Sequence, residues 1–511
     1  MAARKSKILL IRPNNFLSVG NYPPLALILT GSALEKAGYE VEIYTASSGD
    51  HYLETIGEKI RDDDLLFVGL TALTTEVADA LKISREIKRI SDVPVVWGGW
   101  HGTLFPQQCV DSNFIDYVIV DEGDFSVVEL AHSLANGDPS KNKIITSEKH
   151  LSMDELPCPN YSLVDNIEEF ITSPLGDKFQ EVMNHPIRWL PYQSSRGCPS
   201  ECAFCINIVT DNQQFRAKSP RKIVDELEGL IREYNLTHFK ILDDNFFVSR
   251  KRVKEFCGLI IDRKLSFTWD GECRVDYFRD DYLNDDYLQM LKKAGLVQLV
   301  MGAESGSRKT LEYLNKNIVP EQTETAIESL QRNGIIADCS FIVGLPGETR
   351  VDLMETATFI NKQRKHKLFI CGVQTYRPYP RSKIAQQLIA EGKLEEPGTV
   401  EEWSDEKVVA VYTYVDAYRP WIRDYKLAMN ISYYQSLASG VWLLQHQIEH
   451  SVYKLINMFF RRLARFRSKY FLFRLPLDKK LYSLFRLKMS QKVDHNVRKK
   501  RAVGEGSAEI L

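Results

Sequence analysis

Arg196-Gly-Cys-Pro-Ser-Glu-Cys-Ala-Phe-Cys205 places Cys198, Cys202 and Cys205 in a C-x3-C-x2-C array, directly after Trp189-Leu-Pro-Tyr-Gln-Ser-Ser195, which reads as a short strand. Three thiols within eight residues, with Gly197 and Pro199 bending the backbone, can converge on one inorganic centre. No fourth Cys lies nearby, so a four-iron cluster held here would keep one iron open to a small ligand. Zinc is the rival reading. It prefers paired C-x2-C units completed by a fourth Cys or His, and the next Cys, Cys257, falls on a helical pattern. Three unrelated buried cysteines are the remaining alternative.

Strands and helices alternate on both sides of this loop. Downstream, Ile223–Tyr234 reads as a helix with Glu226 and Glu228 on its polar face, and His238–Leu242 as the next strand. Helices at Val253–Arg263, Asp286–Ala294, Glu321–Asn333 and Leu353–Gln363 alternate with strands at Ser266–Asp270, Val297–Gly302, Ala337–Val343 and Phe369–Thr375. Six such units predict a partial (βα)6 barrel of the TIM type, with function at the carboxyl ends of its strands. Asp243-Asp-Asn-Phe246, Ala303-Glu-Ser-Gly-Ser307 and Gly344-Leu-Pro-Gly-Glu-Thr349 stand at those ends with the cysteine loop.

Upstream, Lys7–Ile11, Glu40–Tyr44, Leu65–Leu70, Val93–Trp97 and Tyr117–Val120 read as strands, with helices at Leu25–Ala37, Glu76–Ile90 and Phe125–Leu134. This predicts a Rossmann-like, doubly wound parallel sheet. Ligands of such sheets sit beyond the strand carboxyl ends, here Asn14-Asn15, Thr71-Ala-Leu-Thr-Thr75, Gly98-Gly-Trp-His101 and Asp121-Glu-Gly-Asp124. The first loop lacks G-x-G-x-x-G, which weakens a nucleotide reading. Periodicity is lost after residue 137. The fold class is therefore α/β, divided into 1–140, a connector over 141–188, a barrel over 189–395 and a helical, basic C-terminal region over 396–511.

C-x3-C-x-aromatic-C, with Phe204 as the aromatic, resembles the cluster loop of the radical S-adenosylmethionine (SAM) enzymes. The resemblance implies that Cys198, Cys202 and Cys205 are the metal ligands of a catalytic [4Fe–4S] cluster. Its open iron would chelate the amino and carboxylate groups of SAM, and an electron would cleave SAM to a 5′-deoxyadenosyl radical. Asp243 and Asp244 match the family's acidic stretch near the methionine amino group. Gly302, Glu304 and Ser305 match its stretch near the ribose and methionine, and Ser340 and Gly344, with Glu348, match the segment packed on adenine. Carboxylates suit a cationic ligand in a dry site, although each of them singly also fits a solvated loop. Pro378-Tyr-Pro-Arg-Ser382 departs from the family's Pro-Gly-Thr-Pro turn.

Gly98-Gly-Trp-His-Gly-Thr103 and Asp121-Glu-Gly-Asp124 look like the cobalamin-binding domain of the cobalamin-dependent class, which usually shows Gly-Gly-x-His-x-Thr and Gly-Glu-Gly-Glu. The cobalamin contacts so implied are Asn15, Thr71, Leu73, Thr74, Gly98, Gly99, Trp100, His101, Glu122 and Gly123. A D-x-H-x-x-G motif is absent, so cobalamin is expected without a protein His on cobalt, and His101 reads alternatively as an inert loop residue. The resemblance spans roughly residues 7–390 and implies a methyltransferase acting on an unactivated carbon or a phosphorus centre. Cobalamin would take the methyl group from one SAM, and a substrate radical made with a second SAM would collect it. A radical cyclisation or rearrangement is the runner-up, and a non-catalytic cobalamin-binding sensor the alternative from another class. A small-molecule or lipid substrate and an electron donor such as flavodoxin or ferredoxin are the implied partners.

The net charge of −2 conceals an asymmetry: residues 451–511 hold 16 Lys and Arg against 4 Asp and Glu. From Lys454 to Lys488 these cations interleave with Leu, Met, Phe and Tyr. Such a segment could lie on an anionic membrane, hold an acidic partner, or cover the barrel with its apolar stripe. Helices are expected at Trp421–Ser439 and Val441–Ser468, and a disordered tail from Arg498. No apolar run is long enough to span a bilayer, no signal peptide is evident, and nine scattered Cys suit a reducing cytoplasm. No nucleic-acid partner is expected.

Overall fold

The structure is a computed structural model that describes residues 6–14, 22–46, 51–61, 65–146, 152–172, 186–210, 214–413, 417–440 and 451–485, together with Phe179 and Met183. The apolar runs of the amino-terminal third become β1 (Lys7–Arg12), β2 (Glu40–Thr45), β3 (Leu65–Thr71), β4 (Val95–Gly98), β5 (Tyr117–Ile119) and the short β6 (Ile144–Ile145). They form one sheet in the order β2-β1-β3-β4-β5-β6, every pair parallel. β3 is buried along nearly its whole length because helices cover both faces. Strand order reverses between β1 and β3, which opens a crevice at the carboxyl ends. The helix Tyr52–Ile60 has no counterpart in the sequence reading: Gly57 interrupts a nine-residue pattern too short to stand out.

The second sheet contains β7 (Trp189–Tyr192), β10 (His238–Ile241), β11 (Thr268–Cys273), β12 (Leu296–Glu304), β13 (Ile336–Val343) and β14 (Phe369–Thr375). All are parallel and paired in chain order, with β7 and β14 at the edges, as an open (βα)6 barrel requires. The pair β8 (Ser195–Arg196) and β9 (Arg216–Ala217) is a separate antiparallel clip beside the cysteine loop. Helix ends are set locally. Ser219 caps the helix Pro220–Tyr234, and Thr349 with Asp352 forms a capping box on Arg350–Gln363.

Glu226 corrects the sequence reading. It is buried rather than solvated, accepting from Tyr192 Oη at 2.5 Å and Lys218 Nζ at 2.7 Å. Lys218 is itself almost fully buried, and a buried ammonium requires such a partner. Two adjacent residues tie the helix Leu25–Lys36 to β7: Asn160 N donates to Ser32 Oγ at 2.8 Å, and the buried Tyr161 hydroxyl donates to the Pro191 carbonyl.

In the C-terminal region, the helix Tyr425–Ser439 covers the edge strand β14. Ser432 Oγ donates to Val373 O at 2.7 Å, and Ser436 Oγ accepts from Val373 N at 2.9 Å. Bonds of this kind occupy backbone groups that an open edge would offer to other chains. This helix begins four residues after the expected Trp421. The helix Ser451–Lys469 packs in turn on Tyr425–Ser439. The expected helical stretch 441–450 and the tail from Arg498 lie outside the described residues.

Candidate active site between the two sheets

The cysteine loop follows β7, and distant elements hold its backbone. Gly197 takes φ 79°, a left-handed conformation that favours glycine, and its N–H donates to Asp244 at 3.2 Å. Ala203 N donates to Leu314 O at 2.9 Å, Asn315 Nδ2 to Glu201 O at 2.8 Å, and Arg274 Nη1 to Ser200 Oγ at 3.1 Å. Cys202 is buried, and Cys198 and Cys205 are half-buried. Burial pushes the Cys205 thiol up to about 11, against the lowering effect of the Asn207 N–H. A thiolate here needs positive charge beside it, which iron supplies directly. Among the described residues no three His, Cys, Asp or Glu side chains converge as a mononuclear ion requires. A cluster asks less, because its irons are spread over a cube and each thiolate meets a different one. Three thiols with no fourth partner in the loop fit a four-iron cluster that keeps one iron open.

The two adjacent aspartates differ in burial. Asp243 is buried and accepts from Ser194 N at 2.7 Å, Ser195 N at 3.0 Å and both serine hydroxyls at 2.5 Å. Arg252 Nη2 lies 3.8 Å away. Asp243 therefore holds the loop's entry strand, and its oxygens are engaged within the protein. Asp244 is exposed and lines the central cavity. Glu304, at φ 60°, is buried and pairs with Lys316 at 2.8 Å; that ammonium stands 5.8 Å from the centre of the Phe204 ring. A Cβ on Gly302 would lie 2.2 Å from Glu304 Oε1, so the glycine makes room for this ion pair.

Ser305 shares a 2.8 Å hydrogen bond with Thr356, and Ser340 is half-buried on β13. Gly344, at φ 80°, donates its N–H to Glu348 at 2.6 Å. Burial raises the Glu348 carboxyl to about 7. Deeper in the barrel burial pushes Glu272 on β11 up to about 8, with Lys240 opposing and Asp270 and Asp338 adding. A carboxyl raised on folding loses stability as pH climbs from its unfolded value through the folded one. Glu272→Gln is expected to flatten the stability profile between about pH 4.5 and pH 8; thermal denaturation across that range checks it.

A cavity of about 880 Å³ lies between the first sheet's strand ends and the cysteine loop. Thr71, Leu73, Gly98, Gly99, Trp100, Glu122 and Gly123 line one side, and Gln193, Arg196, Arg216 and Asp244 the other. Arg196 donates to Glu122 at 2.9 Å and pairs with Asp124, while Arg216 also pairs with Glu122. The acidic loop expected at a cofactor is thus also the tie between the sheets. Arg196, Arg216 and Gln193 had no assigned role in the sequence reading. Arg196 stood beside the cysteine motif as a clue, whereas nothing local marked Arg216.

Thr74 and His101 stand behind the cavity wall. The His101 ring is fully buried, 5.1 Å from Phe105 and 5.3 Å from Trp403, with Nδ1 3.4 Å from Thr74 Oγ1. Burial drives its pKa down to about 3, so it stays neutral. His101 is therefore neither a surface-loop residue nor a lining residue of the cavity. Asn15 lies outside the described residues.

The two glycines differ. A Cβ on Gly99, at φ 87°, would meet Thr71 Oγ1 at 2.8 Å and the Ala72 backbone at 3.1 Å, so this position serves the loop itself. A Cβ on Gly98 meets only Ile119 at 3.9 Å, leaving the space before it open to a ligand. Gly98→Phe is expected to fold and to retain at least about tenfold less cobalamin, because a buried ring occupies ligand volume. Visible absorbance of the purified variant measures the loss, and circular dichroism checks the fold.

Comparison with known proteins agrees with this geometry. The radical SAM superfamily model matches residues 192–360, and the B12 binding domain model matches residues 15–131. The chain is 28% identical over 408 residues to an anaerobic magnesium-protoporphyrin IX monomethyl ester cyclase of Rubrivivax gelatinosus, covering 75% of this chain and 70% of that one. It is also 28% identical over 408 residues to an uncharacterized methyltransferase of Pyrococcus horikoshii, covering 76% and 84%. The fold matches that of TsrM from Kitasatospora setae, a radical SAM methyltransferase solved with cobalamin and a [4Fe–4S] cluster, at TM-score 0.61 and 18% identity over 77% and 76% of the chains. A B12 binding domain is joined here to a radical SAM domain. The chain is a cobalamin-dependent radical SAM enzyme, whose cofactors are a [4Fe–4S] cluster, SAM and cobalamin.

Proposed function

We propose that this enzyme transfers a methyl group to an unactivated carbon of a small-molecule or lipid substrate. Cys198, Cys202 and Cys205 hold the cluster, Asp244 faces the SAM ammonium, and Gly98, Trp100 and Glu122 receive cobalamin. The observation that carries this reading is the shared cavity, walled by Gly98 and Glu122 on one side and by Arg196 and Asp244 on the other. When bound, the cluster with SAM supplies a hydrogen-abstracting radical, and cobalamin supplies a methyl carrier. The protein's part is to fix both loops at one space, since proximity and orientation supply much of the rate. Arg196 and Arg216 do so by charge, and the buried Asp243 does so by hydrogen bonding. A flavodoxin or ferredoxin delivers the electron.

Cyclisation is the second reading, favoured by the likeness to the anaerobic cyclase. Anaerobically reconstituted enzyme, a reductant, methyl-labelled SAM and a small-molecule extract of the source cells distinguish the two. Methyl transfer predicts label in a new product, with S-adenosylhomocysteine and 5′-deoxyadenosine released in comparable amounts. Product and 5′-deoxyadenosine without label would replace it by the cyclase reading.

A further inference from the structure

The helix Ser451–Lys469 and the helical segment 477–485 form a pair that docks on the enzyme by one side only. Phe460, Ala464 and Ser468 are buried; the Tyr482 ring lies 4.8 Å from that of Phe460, and its hydroxyl is 3.1 Å from Asn457 Oδ1. The other side presents Leu455, Phe459 and Phe466 from the first helix and Leu477, Leu481 and Leu484 from the second, each more than half exposed. Eleven of the sixteen large hydrophobic side chains exposed among the described residues fall within 451–485. Scattered apolar exposure needs no explanation, but a concentration of this kind does.

The charge of the same surface narrows the occupant. Residues 451–485 contain nine Lys and Arg and a single acid, Asp478, which is engaged by Arg467 at 3.0 Å and Tyr434 Oη at 2.8 Å. Arg462, Lys469, Arg474 and Lys480 are exposed among the apolar residues. We infer that this surface docks on an anionic lipid bilayer, with its leucines and phenylalanines in the headgroup boundary and its cations against lipid phosphates. None of the described helices is long and apolar enough to cross a membrane, so the contact is peripheral. A second copy would set the same cations against each other. Residues 486–511 cannot neutralise them, because they add seven Lys and Arg against three Asp and Glu.

Sedimentation of the full chain with lipid vesicles tests the inference. Binding is expected to mixed phosphatidylglycerol–phosphatidylcholine vesicles, to weaken with added salt, and to be lost with phosphatidylcholine alone. The variants Leu455→Ser/Phe459→Ser/Phe466→Ser and Arg462→Glu/Lys469→Glu/Arg474→Glu should each bind at least about tenfold more weakly, with circular dichroism and cobalamin retention unchanged. Phe459→Trp keeps the apolar volume and reports insertion directly, through quenching by brominated phosphatidylglycerol. No binding to anionic vesicles, equal binding to neutral ones, or no quenching of the new tryptophan would overturn the inference. So would an apolar variant that turns a dimer into a monomer while vesicle binding persists.

Discussion

Replacing Cys198, Cys202 and Cys205 together with alanine abolishes iron binding and all cleavage of SAM, whatever the substrate. The expectation rests on the loop offering three thiols and no local substitute: every other described Cys lies elsewhere in the fold, and Cys257, Cys273, Cys339 and Cys371 are buried. The effect is all-or-none because electron transfer into SAM requires the cluster. Iron content after anaerobic reconstitution and 5′-deoxyadenosine formation with a chemical reductant are the two readouts. Circular dichroism should be unchanged in the variant, and this separates loss of the centre from loss of the fold. Cleavage equal to wild type would remove the assignment.

Asp243→Ala gives the largest loss of stability among the site residues. It strips the acceptor from four donors on Ser194 and Ser195 and leaves the buried Arg252 with its carbonyl and serine partners but without its carboxylate. Breaking a buried pair of this kind costs about 3–5 kcal/mol. The urea midpoint of the barrel's unfolding should fall accordingly. Asp243→Asn, which keeps the size and one acceptor, should lose less. Asp244→Ala is the contrasting variant: exposed in the cavity and accepting from Gly197 N at 3.2 Å, it should lower the midpoint much less and weaken SAM binding about tenfold through loss of one charge-assisted contact. If Asp243→Ala unfolds like wild type while Asp244→Ala is destabilised, the two roles have been assigned in reverse.

These contrasting roles mark the limit of what could be read from the chain alone. Strands such as β3 and β13 were legible because their apolar runs end in Gly, Thr or acidic residues within a few positions. The cysteine loop was legible because its donors lie within eight residues of one another. Which of Asp243 and Asp244 turns inward depends on Ser194, Ser195 and Arg252, two of them on a different strand's loop. The burial of His101 depends on Trp403, some three hundred residues further on. Glu226 looked solvated because only its own helix was in view, and Lys218 comes from outside that helix. Motifs with local partners carry their meaning in spacing, whereas those whose partners arrive through the fold do not.

The tie made by Arg196 has a thermodynamic corollary. Its guanidinium grips Glu122 and Asp124 on the first domain, and its own backbone stands two residues before Cys198. Order imposed on either loop is therefore shared with the other. Coupling between binding sites is reciprocal: a factor by which cobalamin raises affinity for the iron centre is the factor by which that centre raises affinity for cobalamin. Where that factor exceeds one, cofactor loading favours enzyme molecules that carry both groups or neither. An enzyme carrying the iron centre and SAM without cobalamin would form its radical beside an empty second site, and that is the state such coupling through Arg196 disfavours.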